Sequence, residues 1–93
     1  RPQIDVLAIN PDEHAILLGE CKWTGGSIDK SVVEKLLEDA PDIVPAPAEQ
    51  WKVYLAFFSK NGFTPDARRA ASGTNCLWVD LDKLIRDLHA LTN

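Results

Sequence analysis

Apolar and polar positions fall in blocks along the chain, and the switch of their period between two and about 3.6 marks its elements. Residues 4–10 and 15–23 are rich in Val, Ile and Leu, and Pro11, Asp12, Glu13 and His14 stand between them as a turn-forming cluster. The unit reads as a β-hairpin. After a break at Thr24, Gly25, Gly26 and Ser27, the residues Ile28, Val32, Val33, Leu36, Leu37 and Ala40 recur at helical spacing, with Asp29 or Ser27 as N-cap. This predicts an amphipathic helix over residues 29–40 whose stripe packs on the sheet. Lys30, Glu34, Lys35, Glu38 and Asp39 then make its solvated side. Pro41 is expected to end it, and Pro45 and Pro47 to keep the chain extended in a loop to Gln50.

Residues 51–59 are apolar on both faces through positions 53–58, the pattern of a strand covered above and below. Lys60, Asn61 and Gly62 turn the chain, and Thr64 followed by Pro65 starts a short helix over residues 65–71, stopped near Ser72 and Gly73. Residues 76–80 make another strand. Asp82 is then expected to cap a final helix carrying Leu84, Ile85, Leu88 and Leu91 as its apolar stripe. The order is ββαβαβα. Strands alternating with helices pair in parallel through right-handed crossovers, so the fold class is α/β: a mixed sheet of an antiparallel hairpin plus two parallel strands, flanked by helices.

The hairpin turn sets a register. If residues 11–14 form the loop, Asn10 faces Ala15, Ile9 faces Ile16, Leu7 faces Leu18 and Asp5 faces Glu20. Opposed side chains have Cβ atoms about 4.5–5.5 Å apart, and Lys22 emerges on the same face as Glu20. Like charges opposed on a sheet are destabilising; a bound cation, a shared proton or Lys22 as counter-ion would relieve them. Mg²⁺ suits a set of oxygen donors, whereas the lack of a His cluster disfavours zinc. On bland grounds the Glu-x-Lys triplet is a pair of solvated charges, and a one-residue slip would part Asp5 from Glu20 and Lys22.

Ile4-Asp5, a short hairpin and then Gly19-Glu20-Cys21-Lys22-Trp23 resemble the D…ExK signature of the PD-(D/E)xK nuclease superfamily, the restriction-endonuclease and Holliday-junction-resolvase fold. The segments IDVLAIN and LLGECKW, followed by FSKNGFT and LWVDLDKL, are similar to the nuclease-like domain at the C-terminus of archaeal and bacterial P-loop (AAA-type) ATPases. The resemblance spans nearly the whole chain. It implies a DNA endonuclease domain attached to a P-loop ATPase, with Asp5 and Glu20 as ligands to Mg²⁺ or Mn²⁺, Lys22 as the catalytic lysine and the Cys21 backbone carbonyl as a further ligand. Ile4 stands where the superfamily name has Pro. The resemblance also implies that the first helix and strand of that core lie upstream of Arg1. The start at Arg1, almost directly in a strand, reads as a piece of a longer protein.

Composition adjusts this picture without replacing it. At 93 residues, 45% hydrophobic and 26% charged, the chain is one globular domain, residues 1–93. It has no membrane-spanning run and no signal pattern, and a cytoplasmic location is expected. Cys21 and Cys76 sit in apolar strand patterns and are expected to be buried free thiols. The net charge of −4 argues against tight DNA binding by this chain alone. It supports a second reading, a catalytically silent module for assembly or docking of the ATPase. A binding domain with no nucleic-acid role is a third.

Lacking a preceding strand, residues 3–9 are expected to form an exposed sheet edge that pairs with a second copy or is covered otherwise. Trp23 is expected in the core or a subunit contact. Lys60 reads as a solvated turn residue, and Arg68-Arg69 makes no basic patch. His14 and His89 receive no role.

Overall fold

The computed structural model describes residues 4–92. The hairpin consists of β1 (Val6–Asn10) and β2 (Ala15–Lys22), paired antiparallel with Asn10 opposite Ala15 and Val6 opposite Gly19. This is the register read from the turn. Residues 11–14 close it through a bond from His14 N–H to the Pro11 carbonyl at 3.2 Å, with His14 at φ +50°. Asn10 braces the same turn, its Oδ1 accepting from Glu13 N–H at 3.3 Å.

From β2 the chain runs through α1 (Lys30–Ile43) to β3 (Lys52–Ser59), then through α2 (Pro65–Ala70) to β4 (Asn75–Asp80), and ends in α3 (Leu81–Thr92). The sheet order is β1-β2-β3-β4, with β3 parallel to both β2 and β4. Both crossovers step in the same direction across the sheet. With right-handed connections that places both crossover helices on one face. Ile16, Leu18, Leu55 and Phe57 accordingly bury against Val33 and Leu36 of α1 and against Ala67 and Ala71 at α2. Phe57 stacks on Trp78 at 5.0 Å between ring centroids, and Arg68 of α2 caps the aromatic group, 5.1 Å from the Trp78 ring and 5.5 Å from Phe63.

Several expectations need correction. Pro41 does not end α1, which runs on to Ile43. Losing one backbone donor in the last turn is outweighed by bringing Ile43 and Val44 onto the core. Asp39 is not on a solvated side: it sits three residues from Leu36 and seven from Val32, on the flank of the stripe, and is buried. Asp80 rather than Asp82 caps α3, its carboxylate accepting from Lys83 N–H at 2.8 Å. The strand therefore enters the helix with no intervening loop. A 3₁₀ turn, Ala48–Gln50, interrupts the expected extended loop.

The largest departure concerns β3, expected to be covered on both faces. Its second face is covered only toward the strand ends, where Ala56 is buried and Phe58 half-buried beside the buried Val79 of β4; toward the strand starts Tyr54 is exposed, as is Leu77 on β4. No crossover helix reaches that face. Cys21, on the same face beyond the last β1 partner, is exposed rather than buried, while Cys76 is half-buried; both are free thiols. Trp23 is exposed and lies outside the core. β1 is an edge strand with Leu7 and Ile9 exposed; the expected edge begins at Gln3, which lies outside the described residues. No helix among the described residues is long and apolar enough to cross a membrane.

Candidate active site

Asp5 immediately precedes β1, and Glu20 lies near the end of β2, so the hairpin register carries the two toward each other on the helix-covered face. Their carboxyl groups share a hydrogen bond. The Asp5 carboxylate is also held from the strand: its Oδ2 accepts from Cys21 N–H at 3.0 Å. Cys21 thus contributes its backbone to the site while its thiol belongs to the opposite face. That thiol is pushed above its usual range by burial and by the neighbouring charges of Asp5 and Glu20.

Glu20 is the titrating centre of the site. Partial burial, the hydrogen bond to Asp5, the Asp5 charge and the Asp39 charge together push its carboxyl up to about 7. Lys35 of α1 works in the other direction. Lys35 Nζ pairs with Asp39 Oδ1 at 3.1 Å, so α1 sets both an acid and a base beside Glu20. A cleft of about 330 Å³ opens there, lined by Glu20, Ser31, Val32 and Lys35.

Comparison of the chain with family models, with characterised proteins and with solved structures finds no match. What this site does must therefore be argued from its own geometry.

Lys22 shares the face of Glu20 but stands off from the acid pair. Its Cε runs past Gly25, 3.8 Å from where a Cβ there would lie, and its charge helps hold the Asp29 carboxyl below the usual range, behind the dominant bond from Ser31. The structure thus brings Asp5 and Glu20 together and leaves Lys22 at the margin. Lys35 and Asp39, expected on the solvated side of the helix, join the site instead. The available signal was topological: the helix that crosses from β2 to β3 must pass over β2, so its flank faces whatever β2 presents.

The donor chemistry suits a hard divalent ion. A proton shared between two carboxylates occupies a position that a cation can take, and both donors are oxygen. Among the described residues no group of three or more His, Cys, Asp or Glu side chains gathers to hold a metal. Two carboxylates with the remaining positions left to water fit Mg²⁺ or Mn²⁺ better than a closed zinc or calcium cage.

Proposed function

We propose that this chain is a nuclease-like domain of the PD-(D/E)xK type, attached to a P-loop ATPase, that hydrolyses DNA phosphodiester bonds with Mg²⁺ or Mn²⁺ held by Asp5 and Glu20. The observation that supports it is the meeting of those two carboxyl groups on one sheet face, where burial and then the Asp5 carboxyl push Glu20 up to about 7. When bound, the ion supplies Lewis-acid charge at the phosphoryl group and lowers the pKa of water.

The chain's own residues do the rest. Cys21 N–H fixes the Asp5 carboxylate, so one ligand is oriented in advance. The Cys21 carbonyl is the further ligand this reading assigns. Lys22, on a four-carbon stem along the same face, reaches back to orient the attacking water and to steady developing negative charge. Lys35, lining the cleft beside Glu20, offers a second cation to a phosphate oxygen.

The second reading, a catalytically silent assembly module, draws on a different observation: the open apolar groove on the sheet face without crossover helices. The two are separated by assaying the parent protein on plasmid and branched DNA with Mg²⁺ or Mn²⁺, beside Lys22→Ala and Glu20→Ala. The nuclease reading expects both variants to lose cleavage by at least a hundredfold. Equal cleavage by all three proteins sinks it.

A further inference from the structure

The face without crossover helices is open near the strand starts, and the last helix carries an exposed apolar stripe. On the face without crossover helices, a groove of about 640 Å³ is lined by Ala8, Leu17, Tyr54 and Leu77 among others, with no charged side chain in its wall. α3 carries Leu84, Ile85, Leu88 and Leu91 at spacings of one, four and seven, and all four are exposed. α3 follows β4 directly with Asp80 as its cap and packs chiefly on β4, at the strand end where Val79 is buried. The groove lies toward the starts of β3 and β4, whereas α3 departs from the end of β4. A 12-residue helix is roughly 18 Å long, enough to lie across four strands spaced about 4.8 Å apart.

We propose that a second copy of this chain fills the groove: α3 of each protomer lies apolar side down on the open sheet face of the other, in a two-fold dimer with two identical junctions. Surface area argues for this occupant. The chain exposes 6209 Å². A compact monomer of 10.3 kDa exposes about 5,350 Å². The excess, roughly 850 Å², matches what one partner buries in a standard interface, about 800 Å². The radius of gyration agrees: 14.0 Å, against about 12.3 Å for a compact chain of this length. A leucine stripe also enters a groove without charges at no cost in desolvated ions. Pairing between β1 edges, by contrast, would leave both the groove and the stripe in water.

The arrangement has a signature that edge pairing and helix-to-helix pairing lack. Leu88→Asp spoils the helix and spares the groove; Leu77→Asp does the reverse. Both positions are about half exposed, at 52% and 49%, so the protomer fold tolerates them. A far-UV spectrum and a cooperative melt check this, and Leu84→Asp gives an independent helix variant. Sedimentation equilibrium of the wild-type chain is expected to show a dimer at tens of micromolar, and each variant alone a monomer. An equimolar mixture of L88D and L77D is expected to recover a heterodimer, at least tenfold weaker than the wild type, through its one intact junction. A wild-type monomer at 100 µM, a dimer indifferent to Leu77→Asp, or no recovery in the mixture overturns the proposal.

Discussion

The Asp5 and Glu20 carboxyl groups meet across the β1–β2 pair, and burial together with that contact pushes the Glu20 carboxyl up to about 7. Burial is the larger cause of the shift, and the opposed Asp5 carboxyl adds to it. The Glu20 proton links the hairpin register to the chemistry of the site.

The first prediction is its titration. With Glu20 raised to about 7 in the folded chain from 4.5 as the ordinary value, the folded state holds a proton between those limits that the unfolded chain releases. Stability therefore falls as pH rises across this window in the absence of divalent ions, being fullest below about 4.5 for this group. Glu20→Gln flattens the slope. The Glu20 carboxyl resonance, followed by NMR, should have its midpoint near 7 and move lower when Mg²⁺ is added. A midpoint in the ordinary carboxylate range would remove the shared proton.

Gly19 lies one residue from this pair and directly opposite Val6. A Cβ there would stand 2.9 Å from Val6 Cβ and 3.2 Å from the Ala56 carbonyl. Backbone and a β-branched Cβ have little room to give. Gly19→Ala is expected to cost about 1–3 kcal/mol by overpacking and to lift β1 away, carrying Asp5 from Glu20. Urea unfolding reads the first effect, and loss of the neutral Glu20 midpoint reads the second.

The hairpin was the legible part of the chain. A four-residue turn cluster between two apolar runs sets the pairing, and Asp29 and Thr64 both cap where their residue types suggest. Illegible features arose where packing overruled a local rule. Pro41 stays helical because Ile43 and Val44 have core to reach. Asp39 reads as surface until one sees that α1 passes over Glu20. The open face escaped notice because β3 is apolar on both sides. Apolarity reports a demand for cover, whereas the direction of successive crossovers determines which face receives it. Of the candidate site, the acids were readable from register, but the stand-off of Lys22 depends on a rotamer that no spacing encodes.

The two aspartates at the start of α3 offer a clean comparison. Asp80 accepts from Lys83 N–H at 2.8 Å, while Asp82 sits inside the first turn. Asp80→Ala should cost about 1 kcal/mol through loss of the cap, and Asp82→Ala only a few tenths through loss of a charge near the helix N-terminus. Equal effects in denaturant unfolding would contradict the cap assignment.

The thiols differ as the faces do. Both thiols are raised by burial, Cys21 also by the Asp5 and Glu20 charges, but Cys21 is exposed whereas Cys76 is half-buried and pushed up to about 11. One equivalent is expected to react quickly with a disulfide reagent at pH 8, and Cys21→Ser removes it. Cys76 should react only on the timescale of unfolding. Two fast equivalents in the native protein would be inconsistent with the half-buried position of Cys76.

Ser59 provides a test of the core behind the site. It ends β3 between Lys22 and Asp80 in register, is fully buried, and its hydroxyl has no hydrogen-bond partner among the described residues. An unsatisfied buried hydroxyl costs roughly 1–3 kcal/mol relative to one that is paired. Ser59→Ala replaces the hydroxyl by a hydrogen, which removes that cost and leaves only a small void. Ser59→Ala is therefore expected to raise the denaturation midpoint by the equivalent of about 1 kcal/mol with an unchanged denaturant slope. Should the variant instead be less stable, the hydroxyl has a partner in solution, and with Lys22 beside it in register the Lys22 ammonium is the group to examine, by the Lys22→Ala double-mutant cycle.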